Sequence, residues 1–208
     1  MHRSMLFARV AIAAPALALF AACSDTKAPT EVRRVAQVNA KLDIDQGPDH
    51  AGAIVAHDAC DPLTFNGQFG EGTCVKEGHV TLDNFIAQLQ STHVAKGWSF
   101  TPAQLTARFG VDLLGNNIGG ETHTFTPVKA FGGGFFLPLN ELSDNPVPAP
   151  ECLTLDPAED LVVAGAQYTI EKEELAEVVD GSGLARVQCC IHPWMRATVR
   201  MQHGHGTV

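Results

Sequence analysis

Apolar and polar positions along this chain alternate more often than apolar residues recur at helical spacing, which predicts a mostly β protein with two helical intrusions. The stretch VAQVNAKLDI (35–44) alternates well enough to be a strand. In TLDNFIAQLQSTH, Leu82, Phe85, Ile86 and Leu89 fall at helical spacing behind Thr81, a residue suited to capping, so a short helix is predicted there. SFTPAQLTARFG reads as a strand with Pro102 near its edge, because proline cannot donate to a ladder. In ETHTFTPV, threonines alternate with His123 and Phe125, which puts those two on one face. From Phe131 to Pro157 the chain is rich in glycine and proline and reads as a long loop, of a length that argues for a functional or disulfide-fixed excursion. Beyond it, DLVVAGAQYTI predicts a strand broken near Gly165, EKEELAEVV a turn or two of helix, and ARVQCC and RATVRM two strands joined like a hairpin.

The loop of that last hairpin carries the most specific chemistry. In VQCCIHPWMRATVRM, Cys189, His192 and Met195 are spaced Cys-x-x-His-x-x-Met, so a thiolate, an imidazole and a thioether fall within seven residues. These are the soft and borderline ligands that copper selects, and a blue-copper site needs one further histidine, for which His123 is the candidate. Taken singly, each is better read as a core residue; the joint spacing is what points to copper. Strand alternation places Val187 and Cys189 on one face and Gln188 and Cys190 on the other. Spacing alone leaves Cys190 open as the ligand, through Cys-x-His.

The run Cys189 to Met195 resembles the ligand loop of cupredoxins, with the short spacing of the amicyanin type. NNIGGETHTFTPV (Asn116 to Val128) is similar to the segment bearing their first histidine, and PAQLTARFGVDLLGNN (Pro102 to Asn117) to the strand, turn and strand before it. The resemblance spans Trp98 to Arg200. It implies a mainly β, Greek-key sandwich with one or two short helices. It also implies one type 1 copper, with His123, Cys189 and His192 equatorial and Met195 axial, serving electron transfer. Three features depart from the family pattern: the second thiol at Cys190, the insertion between Phe131 and Gln167, and IEKEELAEVVDG where a strand is expected. In proteins of this resemblance the second histidine's edge commonly faces solvent, so Pro193 and Trp194, with Phe135 or Phe136, are expected to form an apolar collar where a redox partner docks; equally, Trp194 simply caps the core.

At the amino terminus, MHRSMLFARVAIAAPALALFAAC joins two arginines to an apolar stretch, Val10 to Ala22, too short and alanine-rich for a membrane span, and reads as an export signal over 1–22. Phe20-Ala21-Ala22-Cys23 resembles a bacterial lipoprotein processing site, in which Cys23 is acylated; ordinary secretion, with cleavage after Ala21 or Ala22, is the alternative. The expected organisation is a tether over 23–40 and a single cupredoxin-like domain over 41–208, exported to the periplasm or cell envelope and held at a membrane surface by lipid. Without Arg3 and Arg9, 12 basic residues face 23 acidic ones. Such a balance excludes a phosphate-neutralising stripe, hence nucleic acid, and suits a basic redox protein as partner.

Of six cysteines, Cys23 belongs to the signal reading, and the remaining five are an odd number that makes sense if one thiol is kept for metal. CDPLTFNGQFGEGTC is a polar, glycine-rich loop of the kind a Cys60–Cys74 staple orders, and elimination leaves Cys152 with Cys190. The glycines of GNNIGG and Gly132 to Gly134 match no phosphate-binding pattern and read as turn chemistry, and no small-molecule substrate site is evident. His79, His93, His203 and His205 are read as solvated. The leading expectation is an extracytoplasmic electron carrier rather than an enzyme. Its rivals are a copper storage or delivery module using Cys190 and the tail histidines, and a metal-free sandwich acting as a structural or interaction domain.

Overall fold

The computed structural model describes residues 50–203, in which eight strands form two four-stranded sheets. In chain order the strands are β1 (His50–His57), β2 (Ser99–Thr101), β3 (Gln104–Arg108), β4 (Asp112–Asn117), β5 (Thr126–Val128), β6 (Gln167–Ile170), β7 (Leu184–Gln188) and β8 (Arg196–Gln202). One sheet runs β2-β1-β4-β6 and the other β3-β8-β7-β5. The pairs β1/β4 and β3/β8 are parallel and the rest antiparallel. The result is a mainly β protein built on two mixed four-stranded sheets. The export signal, Cys23, the tether, the strand expected over 35–44 and His205 lie outside the described residues.

The period-two pattern of β8 shows why these segments are strands: Ala197, Val199 and Met201 are buried while the residues between them face outward. From the facing sheet, Ile54, Phe100, Leu113 and Ile170 enter the same core. The segment SFTPAQLTARFG is not one strand but two. At Pro102, which has no N–H to offer a ladder, the chain bends and changes sheets, so β2 pairs with β1 and β3 with β8. ETHTFTPV is likewise strand only at β5. His123 instead makes a single bridge, exchanging N–H···O bonds of 3.0 and 2.9 Å with Val162, the residue that the broken-strand pattern of DLVVAGAQYTI placed before Gly165.

Four α-helices accompany the sheets among the described residues. Helix α1 (Pro62–Phe69) falls where the sequence reads as a polar loop, and its start is nonetheless encoded: Pro62 opens it and the Asp61 carboxylate accepts the Leu63 and Thr64 N–H groups. Helix α2 (Leu82–Thr92) begins at the Thr81 cap and buries Phe85 and Leu89. The long Phe131–Pro157 segment contains α3 (Leu137–Leu142) and a short 3-10 turn at Pro150–Leu153, and α4 is Lys172–Val178. None of them is long and apolar enough to cross a membrane.

Two disulfides, Cys60–Cys74 and Cys152–Cys190, staple this framework, and Cys189 is left as a buried free thiol. Gly132 to Gly134 do more than turn. A Cβ on Gly134 would lie 1.8 Å from the Cys190 carbonyl oxygen, and one on Gly133 2.4 Å from that of Asn145, so the glycines let the insertion lie flush against the strand end. The Cys60–Cys74 bridge closes a 14-residue separation around α1. Replacing both cysteines with alanine is expected to lower unfolding free energy by about 3 kcal/mol, read by urea denaturation with tryptophan fluorescence.

Candidate metal centre

Cys189 lies just past the end of β7, and the chain from there to β8 is a closed turn. The Cys189 N–H donates to the Met195 carbonyl at 3.0 Å and the Met195 N–H to the His192 carbonyl at 2.9 Å. Arg196 ties the turn to the insertion: Nε donates to the Pro193 carbonyl at 2.7 Å, a terminal nitrogen donates to Asn145 Oδ1 at 2.6 Å, and the guanidinium lies over the Phe131 ring. On the other side, Thr124 N–H points at Cys189 Sγ at 3.5 Å, and Thr124 Oγ1 accepts the Cys190 N–H at 2.8 Å. The strand end, the ligand turn and the His123 segment are therefore one hydrogen-bonded unit.

Within it three side chains converge. His123 Nδ1 is 3.7 Å from Cys189 Sγ and His192 Nδ1 is 3.8 Å from the same sulfur; the three ligand atoms lie within 4.8 Å of one another and all three residues are buried. Met195 is fully buried in the same core cluster. A trigonal metal at bond lengths of about 2.3 Å to sulfur and about 2.0 Å to nitrogen holds those atoms roughly 3.7 Å apart, so the spacing fits a metal with these ligands without rearrangement. Two imidazoles and a thiolate are the trigonal donor set that copper uses in electron-transfer sites. Cys190, open as a ligand on spacing, faces the other way into a separate cluster with Val128, Ala149 and its disulfide partner Cys152.

Two buried carboxylates back the imidazoles, and neither stands out in the sequence. Asp58, just past β1, accepts from His123 Nε2 at 3.0 Å. Glu121 Oε2 accepts the Trp98 indole N–H and lies 3.6 Å from His192 Nε2. The electrostatics follow. Burial pushes the Cys189 thiol up, but the hydrogen bonds and charges of His123 and His192 overcome this and hold it well below the ordinary thiol range. Burial lowers His123, yet Asp58 and Cys189 raise it to about 9. Burial raises Asp58, but His123 and the Glu121 and Gly120 N–H groups bring it down to about 2. Glu121 has fewer donors, so burial dominates and raises it, against His192 and the Trp98 N–H. The only sequence sign of Asp58 and Glu121 is an acidic residue beside a cysteine and another in a glycine loop.

The solvent-facing histidine edge expected from the resemblance is absent here. His192 is 3 % exposed, under the rings of Phe85 and Trp98, and Pro193 is buried as well. The rings of Phe85, Trp98 and Trp194 stand 6.4, 6.4 and 5.4 Å from that of His192. Trp194 is half-buried in this cluster, so of the collar residues Phe135 and Phe136 are the open ones, at 42 and 41 % exposure. His79 and His93 lie away from the centre, and the exposed His203 stacks on Phe109.

No family model matches the sequence, and no curated protein matches it. The structure is similar to a purple cupredoxin from Nitrosopumilus maritimus (10 % identity over 73 % of this chain and 99 % of that one, TM-score 0.32). It is similar also to oxidised plastocyanin from Dryopteris crassirhizoma (13 %, 72 % and 99 %, TM-score 0.33). A third similar structure is reduced auracyanin from the photosynthetic bacterium Roseiflexus castenholzii (16 %, 50 % and 87 %, TM-score 0.29). The chemistry of the site is carried by this chain's own residues.

Thr124 is the hinge of the unit, and its hydroxyl is the acceptor for a buried backbone donor. Thr124→Ala leaves the Cys190 N–H without that acceptor and is expected to destabilise the metal-free protein by about 1–3 kcal/mol, with Thr124→Ser restoring most of the loss, as measured by chemical denaturation.

Proposed function

We propose that this cupredoxin-like sandwich holds one copper ion through His123, Cys189 and His192, with Met195 as a weak axial ligand, and carries single electrons between redox partners outside the cytoplasm. The observation that carries the reading is the convergence of both imidazole Nδ1 atoms on the free, buried Cys189 sulfur at 3.7 and 3.8 Å. Copper, when bound, supplies a one-electron couple.

The protein's residues do the rest. The thiol is already held toward its thiolate form, and the His123 ring is held at Nε2 by Asp58, so little has to move there when the charge at the centre changes. Trp98, Phe85 and Trp194 exclude water from His192. Phe135 and Phe136 reach the ligand strand through a Phe135 N–H···O bond to Cys190, 2.9 Å long, and offer a partner an apolar contact close to the centre. The two disulfides fit an oxidising, extracytoplasmic compartment, and acylation at Cys23 would hold the protein on a membrane there. With Cys190 committed to Cys152, the copper-storage reading loses its extra thiol, and Cys189 is left free rather than spent in the disulfide that a metal-free domain would favour.

Loading the purified protein with Cu(II) is expected to give one copper per chain and an intense thiolate charge-transfer band in the visible, the band being lost in Cys189→Ser. More than one copper per chain, or surrender of the metal to a weak chelator, would favour storage or delivery instead. Phe135→Ser with Phe136→Ser is expected to slow electron exchange with a one-electron partner while leaving the visible band unchanged, as followed by stopped-flow absorbance; an unchanged rate places docking elsewhere.

A further inference from the structure

The copper reading accounts for the converging Nδ1 atoms but not for the aspartate sealed behind His123. The Asp58 side chain is 1 % exposed. A single oxygen, Oδ2, accepts from the Gly120 N–H at 2.8 Å, the Glu121 N–H at 2.9 Å and His123 Nε2 at 3.0 Å. The loop is shaped around that oxygen: a Cβ on Gly119 would fall 1.9 Å from it, so the glycine pair of NNIGG serves as a cradle for an internal anion. Burying a carboxylate is costly unless donors are brought to it, and here the backbone brings two.

Two consequences follow from elementary chemistry. A carboxylate only accepts, so His123 carries a hydrogen on Nε2, and in the neutral ring that a metal requires the Nδ1 lone pair faces Cys189. An amide oxygen would orient the ring equally well, so the negative charge is more than orientation requires. In a dry interior that charge acts on the centre with little screening. Glu121, at 3.6 Å from His192 Nε2, is beyond hydrogen-bond reach and has no matching grip on its ring.

Resting on the copper reading, we propose that Asp58 is a positioning residue for His123 and that its buried charge lowers the reduction potential of the centre. Reduction adds one electron, drawn from a one-electron redox protein, beside a thiolate and this second anion, while the Nε2 hydrogen stays in its bond to Asp58. The anion therefore favours Cu(II) over Cu(I).

The test compares the full chain with Asp58→Asn and Asp58→Ala. In the copper-free proteins, held at a pH high enough that the His123 ring is neutral, nitrogen NMR reads its tautomer; in the copper-loaded ones, spectroelectrochemistry reads the visible band and the midpoint potential. Asp58→Asn is expected to keep the Nε2–H tautomer and the band and to shift the potential upward. Asp58→Ala is expected to lose the single tautomer and to bind copper about 10- to 100-fold more weakly. An unchanged potential in Asp58→Asn overturns the electrostatic role. A wild-type His123 with its hydrogen on Nδ1, or an unaltered tautomer in Asp58→Ala, overturns the positioning role. Should wild type give no thiolate band, the copper reading and the effect on potential both fall, and the tautomer alone decides the positioning role. The wild-type tautomer and Asp58→Asn keep the test decisive if the alanine variant does not fold.

Discussion

Cys189 and Cys190 are covalent neighbours sent in opposite directions, and the geometry of this end of the sandwich depends on that divergence. A pleated strand end turns successive side chains to opposite faces. Cys189 enters the main core between the sheets, beside His123 and Met195, whereas Cys190 enters a second, smaller cluster and is locked there by Cys152. A slip of one residue in the register of β7 against β5 and β8 would exchange the two sulfurs. The registers Val187↔Ala197 and Pro127↔Val187 hold the strand immediately before the pair, and the closed turn from Cys189 to Met195 holds it immediately after.

The second determinant is cover. Segment 60–98, stapled by Cys60–Cys74, lays Phe85 and Trp98 over His192, and Trp98 in turn holds Glu121. Phe65, Phe85 and Trp98 stack on one another with centroids 4.6 to 5.8 Å apart, so this cover is packed core rather than a flap. A dry centre strengthens every electrostatic contact around the imidazoles. It also leaves the half-buried Trp194 and the exposed Phe135 and Phe136 as apolar surface close to the Cys189–Met195 turn.

The parts of this arrangement that were legible in the sequence are those with a local signature. Helix α2 announces itself through Thr81 and its apolar spacing, β7 and β8 through alternation, and the ligand turn through three unusual side chains in seven residues. The two disulfides coincide with the pairing that loop composition and elimination indicated. What escaped was long-range. Asp58 and Glu121 acquire their meaning only when β1 and the NNIGG loop meet, and the burial of His192 only when α2 folds across it. The sheet change at Pro102 and the shortness of β5 were likewise invisible, because a proline marks a break without saying where the chain goes next.

Finally, the Cys152–Cys190 bridge sets a problem of sequence in time. In an extended chain, Cys152 meets Cys189 almost as often as Cys190, since loop-closure entropy hardly distinguishes a separation of 38 residues from one a single residue shorter. Encounter statistics alone would thus consume the buried free thiol in a large share of molecules. Discrimination arises only once the pleat has turned one sulfur toward Cys152 and the other away. Oxidation has to follow strand pairing rather than precede it, and the chronology of maturation is in this way written into two adjacent residues.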